Sequence, residues 1–159
     1  MFARSFIDSI DFASNGKELR GEIPFSDLPR LNEMLANSSG ALSYRVIGSH
    51  EDDSHKLEIV LKGRCNLLCQ RCLEEFAYQL EVNAHLQLIP AEMLDEVEDH
   101  DKDVIEANRH LDLLELLEDE VLINLPFAPK HPEGTCTAPL RDSQQPANPF
   151  AMLAVLKKQ

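Results

Sequence analysis

From Phe76 to Leu88 the chain alternates without a break. Phe76, Tyr78, Leu80, Val82, Ala84, Leu86 and Leu88 fall on one parity, and Ala77, Gln79, Glu81, Asn83, His85 and Gln87 on the other. A period of two puts successive side chains on opposite faces of a strand, and no helix can bury such a pattern. The stretch is therefore predicted to be one long strand, or two joined by a bend, with one face packed and one wet. Shorter alternations precede it. In "ALSYRV" Leu42, Tyr44 and Val46 oppose Ser43 and Arg45, and Leu57, Ile59 and Leu61 alternate with Glu58, Val60 and Lys62, with acidic "SHEDDSHK" turning the chain between them. One-sided alternation belongs to antiparallel sheets, since strands buried on both faces read as continuous apolar runs. The expected fold is α+β: an antiparallel β-sheet or a partly open barrel with a few packed helices.

The helices have legible ends. Strand-like residues finish near Ile23, Ser26 is placed to cap a short helix around Leu28 to Leu35, and "NSSG" stops it. In "DLLELLEDEVLINLP", Asp112 caps with Glu115 at the third helical position, and Pro126 marks the exit. Helical spacing puts Leu114, Leu117, Val121 and Leu125 on a core face and Asp112, Glu115, Glu118 and Asp119 on a solvent face. "NPFAMLAVLKK" offers Asn148 as a cap, Pro149 at the first helical position and Lys157 and Lys158 at the end the dipole favours.

A chain of 159 residues is about one domain. We expect a single α+β domain over 1–140, in which 92–110 is an acidic mobile loop, and then a linker and C-terminal helix over 141–159. No stretch has signal-peptide or membrane-span character, so a cytoplasmic protein without a membrane partner is expected. The formal net charge is −13, but its distribution matters more than its size. Thirteen acids against Lys102 and Arg109 lie between Glu92 and Glu120, a net of −11, and the remaining fifteen acids and thirteen bases leave only −2. Acidity is thus a local device, which leaves the rest free to face a neutral or polyanionic partner.

"RCNLLCQRCLEEF" sets Cys65, Cys69 and Cys72 in a C-x3-C-x2-C spacing. Radical S-adenosylmethionine enzymes use that spacing, but their chemistry needs a large barrel of repeated βα units, and this chain is short and reads as hairpins. A zinc site uses fewer of the three. Cys69 and Cys72 form a C-x2-C pair between two predicted strands, and "HPEGTC" adds His131 and Cys136, so that Cys69, Cys72, His131 and Cys136 would make a closed Cys3His site pinning a hairpin. The alternative is that these are reduced cysteines acting as small apolar residues. Cys65 has no role in either reading. No spacing links a thiol to His85, His110 or His131 as a catalytic pair, and no phosphate-cradling glycine loop occurs, so neither an enzyme nor a small-molecule substrate is expected.

"CQRCLEEF", "DLLELLEDEVLINLPFAPKH" and "NPFAMLAVLKK", in that order, resemble the YceD family, the large ribosomal RNA accumulation proteins of bacteria and plastids. The resemblance runs from Lys62 to Lys158. It puts the family's central motif on Cys69, Arg71 and Cys72, its helix on 112–125, its proline–histidine motif on Pro126, Pro129 and His131, and its last cysteine on Cys136, with Cys65 outside the pattern. It implies a role in the synthesis, processing or stability of 23S ribosomal RNA and in large-subunit assembly. Two kinds of contact are compatible with the residues. Lys62, Arg64 and Arg71 could meet ribosomal RNA. Alternatively Glu92, Asp95, Glu96, Glu98, Asp99, Asp101 and Asp103 could hold a basic ribosomal protein or assembly factor, and we prefer this because the charge is concentrated there.

Overall fold

The computed structural model describes residues 6–96 and 103–136. Its elements are β1 (Phe6–Ile7), α1 (Ser9–Ser14), β2 (Glu18–Pro24), α2 (Pro29–Met34), β3 (Ala41–Glu51), β4 (Ser54–Leu68), β5 (Glu75–Ile89), β6 (Asp103–Glu106), β7 (Leu111–Asp112) and α3 (Leu113–Asn124), with 3-10 turns at Phe25–Asp27 and Ala91–Glu96. Five strands form one sheet in the order β2-β3-β4-β5-β6, and β1 pairs separately with β7. Among the described residues the sheet is open and does not close into a barrel.

The uninterrupted alternation becomes a single strand, β5, paired with β4 from His55↔Leu88 to Leu68↔Glu75. Leu57, Ile59, Leu61, Leu80, Val82 and Leu86 point inward and are buried, while Gln79, Glu81, Asn83 and His85 point to solvent. Between β3 and β4 only Asp52 and Asp53 make the turn, both at positive φ (49° and 59°). That conformation matches strand twist in two-residue hairpins, and aspartate is among the residues that tolerate it. All three helices lie on the inward face, where Phe12, Ala13, Leu31, Leu113, Leu117 and Val121 complete one core with the strand residues. Helix α1 comes unusually near β3. A Cβ on Gly48 would lie 2.5 Å from the Phe12 carbonyl oxygen, so the close approach needs glycine there.

Four expectations change. Ser26 does not cap α2; it lies in the Phe25–Asp27 turn, and Leu28 precedes the helix with no side-chain cap while Pro29 fills the first helical turn, where its missing N–H costs nothing. The sheet is not wholly antiparallel, because β6 runs parallel to β5 from Leu86↔Asp103 to Ile89↔Glu106. Part of the segment expected as a loop is therefore ordered: Ala91–Glu96 forms a 3-10 turn, β6 is a strand, and the buried Ser9 hydroxyl accepts the Asn108 N–H at 2.9 Å while its own N–H reaches the Asn108 carbonyl at 3.0 Å. Glu98, Asp99 and Asp101 lie outside the described residues, as does the expected C-terminal helix.

The fourth change concerns α3. Asp112 caps it as expected, accepting from the N–H groups of Leu114 (3.1 Å) and Glu115 (3.4 Å). The buried face is Leu113, Leu116, Leu117, Glu118 and Val121, with Leu114 and Leu125 only half-buried. Glu118 is thus in the interior, 4% exposed. Its carboxylate accepts from Arg30 Nε (3.0 Å) and from the Leu31 N–H (2.9 Å), and Arg30 also reaches Asp119 (2.6 Å). A buried carboxylate is tolerable only when so satisfied, and this one ties α3 to the uncapped start of α2.

Candidate metal centre

Strand β4 runs six residues past Lys62, so Cys65 is part of it, opposite Tyr78 and on the inward parity of Leu61 and Leu67. It is 1% exposed, and burial pushes its thiol up from the ordinary value. Cys65 is a core residue, and its parity with Leu57, Ile59 and Leu61 was the signal in the sequence that could have shown it. We expect Cys65→Ala to cost about 1 kcal/mol, the scale of one lost buried methylene-sized group, and to leave the metal content of purified protein unchanged.

After Leu68 the chain folds back within six residues. The Cys69 N–H donates to the Glu74 carbonyl (2.9 Å) and the Leu73 N–H to the Cys69 carbonyl (2.8 Å). This knuckle aims backbone N–H groups at sulfur: those of His131, Cys72 and Arg71 at Cys69, and that of Glu74 at Cys72. Leu73 makes the reversal at φ 62° and is 73% exposed. A leucine there carries about 1–2 kcal/mol of backbone strain. Leu73→Gly is accordingly expected to stabilise the protein by about 0.5–1 kcal/mol after glycine's entropy is counted, and Leu73→Val to destabilise it, as thermal melts of the two variants would register.

The second half of the site comes from the segment after α3. The Gln70 N–H donates to the Pro129 carbonyl (2.8 Å), and the His131 ring packs on Phe76 with centroids 4.9 Å apart. A turn closed by the Thr135 N–H and hydroxyl on the Pro132 carbonyl, with Gly134 at φ 83°, returns Cys136 to the knuckle. The ligand atoms of Cys69, Cys72, His131 and Cys136 all lie within 4.8 Å of one another, and this group could hold a metal ion. Cys69 Sγ and Cys136 Sγ are 3.8 Å apart, and Cys72 Sγ lies 3.4 Å from His131 Nδ1. A tetrahedral ion with metal–sulfur bonds of about 2.3 Å and metal–nitrogen bonds of about 2.0–2.1 Å has edges of about 3.8 and 3.6 Å. The residues fit such an ion.

The electrostatics agree. Burial raises the Cys69 thiol, but the N–H groups of His131, Cys72 and Arg71 outweigh it and bring the thiol down to about 5. The Glu74 N–H favours the Cys72 thiolate, yet burial and the adjoining Cys136 and Cys69 sulfurs push that thiol up to about 11. Thiolates this close ionise together only beside a cation. Arg71 is the nearby cation, its guanidinium raised from the ordinary value by the Cys136, Cys69 and Cys72 sulfurs.

The expected RNA-contact cations lie on two elements. Lys62 and Arg64 both leave the outer face of β4, and Lys62 is paired with Glu81 across the strand at 2.8 Å, while Arg71 sits at the cysteine group. Of the acids, Glu92 is exposed and Asp103, also exposed, begins β6, while Asp95 and Glu96 belong to the Ala91–Glu96 turn. Arg30 and Glu118 carry no local signal as a pair, because 88 residues separate them.

Residues 57–157 match the family model described as large ribosomal RNA subunit accumulation protein YceD. This chain belongs to that family. It is similar to the Large ribosomal RNA subunit accumulation protein YceD of Haemophilus influenzae, at 29% identity over 96% of this chain and 94% of the relative. No solved structure matches. The YceD match includes both segments of the cysteine–histidine group, but it starts inside β4. Strands β2 and β3 and helices α1 and α2 lie outside it while packing in the same core. No described helix is long and apolar enough to cross a membrane.

Proposed function

We propose that this YceD-family protein supports the synthesis, processing or stability of 23S ribosomal RNA, and with it large-subunit assembly, as a non-catalytic binding factor of the cytoplasm. In this reading Cys69, Cys72, His131 and Cys136 hold one structural zinc ion. The observation that carries it is the convergence of four protein ligands from two segments 59 residues or more apart. Catalytic zinc sites keep a position open for water or substrate, whereas a full set of thiolate and imidazole ligands serves structure. Bound zinc would supply cross-linking: it would join the β4–β5 knuckle to the segment leaving α3.

The partner we favour is a basic ribosomal protein or assembly factor. The net charge of −11 between Glu92 and Glu120 supports this, as does the engagement of Lys62 with Glu81 and of Arg71 with Cys136, which leaves few cations for phosphate. Complementary charge of this kind speeds capture and makes it sensitive to salt. The test is a pull-down of tagged protein from lysate at low and moderate salt, with and without nuclease, identifying protein and RNA and measuring zinc on the same sample. A basic protein that survives nuclease and leaves as salt rises is the expected result. Large-subunit RNA that nuclease abolishes would instead put the contact on Arg64 and Arg71.

A further inference from the structure

Among the described residues, strand β6 covers β5 from Leu86 to Ile89. From Glu75 to His85, β5 has β4 on one side and, among the described residues, no strand on the other. Exposed backbone edges are ready templates for another strand. Where this free edge meets β6 and the C-terminal half of α3 there is a groove of about 980 Å³, one wall of which is Asn83, Ala84 and His85. Val104, Ile105 and Ile123 give it an apolar side, and Ile123 is left 77% exposed.

The lining charges select the occupant. They comprise Glu51, Glu58, Asp103 and Glu120 against one base, Lys56, which is itself paired with Glu51 at 3.3 Å. Among the described residues neither Asp103 nor Glu120 has a basic partner within ion-pair distance, and burial together with the Asp103 and Asp119 carboxylates pushes Glu120 up from its ordinary value. The exposed Asp103 and half-buried Glu120 carboxylates repel one another, which a cation would relieve. Electroneutral or anionic occupants gain nothing from that.

We propose that this groove docks an extended, lysine- and arginine-rich segment of a partner protein, which adds as a strand to the free edge of β5 beside Asn83, Ala84 and His85. Alternate side chains of an added strand point to opposite faces. One set faces Glu120 and Ile123 on the helix side, and the other lies beside His85 on the open side, with Glu58 of β4 beyond it. The inference rests on the basic-partner reading above and gives it a place.

The experiment uses the full chain and a fluorescein-labelled decapeptide of alternating lysine and valine, with binding read by anisotropy at low and moderate salt. Asp103→Asn with Glu120→Gln should weaken binding about tenfold or more, whereas Glu22→Gln with Glu33→Gln, the same charge change on β2 and α2, should alter it less than about twofold. N-methylation of alternate peptide residues removes backbone donors, and in one of the two registers it should cost about tenfold or more. Equal losses in the two double variants would reduce the effect to net charge and overturn the docking site, and N-methylated peptides binding like the parent in both registers would overturn strand addition. If neutralising Glu92, Asp95 and Glu96 abolishes binding while the groove variants do not, capture of a basic partner stands and the groove is wrong. Absence of binding by the unaltered protein would sink both.

Discussion

Cys69→Ser is expected to lower the melting temperature by about 8–16 °C and to take bound metal from about one equivalent to near zero. A ligand present at a thousandfold its dissociation constant stabilises a fold by about 4 kcal/mol, and about 1 kcal/mol moves the melting point of a chain this size by about 2–4 °C. Cys69 is the ligand to choose because it is fully buried and its sulfur is the target of three backbone N–H groups. Serine fits the space but does not ionise to a metal-binding anion near neutral pH. Three observations should agree. A chelator should lower the melting point of the unaltered protein by the same amount, should do nothing to the variant, and should make the segment after Pro126 more sensitive to protease, since Gln70 and the ligands hold it. Unaltered protein purified without metal, with a variant melting within about 2 °C of it, would show that the four residues form no metal centre.

The second large effect is expected at Glu118. Glu118→Ala leaves the Leu31 N–H without an acceptor inside the core, opens a cavity, and strips Arg30 of its buried partner. An unsatisfied buried donor costs about 1–3 kcal/mol, and loss of a buried pair about 3–5 kcal/mol. With Arg30 able to hydrate, being 46% exposed, we expect about 3 kcal/mol, or about 6–12 °C. Glu118→Gln keeps an acceptor for Leu31 and should cost about half as much. Metal content should not change in either variant. If alanine and glutamine prove equal and both small, the bond to Leu31 does not hold α2, and the carboxylate is a solvated group that happens to point inward.

The two predictions sit at opposite ends of what the sequence discloses. The alternation of 76–88, the Asp112 cap, a turn somewhere in 49–56 and the cysteine–histidine group that could hold a metal were legible because each depends on local rules: a period of two, a carboxylate before a helix, or ligand types at short spacing. Even the pairing of Cys69 and Cys72 with His131 and Cys136 could be named from residue chemistry, although its geometry could not. Misreadings arose where distant segments compete for one position. Glu118 looks like a solvent-facing acid until the start of α2 presents it with Arg30 and the Leu31 N–H, and Ser26 looks like a cap until Pro29 starts the helix three residues later. Cys65 looked like part of a cluster because it is close in sequence, but strand parity turns it into the core while Cys69 leaves the strand.

By itself, then, the sequence determined the alternating stretches of β3, β4 and β5, the one-sided burial of the sheet, the local concentration of acid and which cysteines and histidine could form a ligand set. These follow from periodicity, composition and side-chain chemistry, which need no knowledge of neighbours. Only the tertiary structure decided that β6 pairs in parallel opposite Leu86 to Ile89, that the knuckle and the segment after α3 meet within 4.8 Å, and that Glu118 is interior. Each of those depends on how two remote stretches share space, and long-range packing rather than local preference settles such contests.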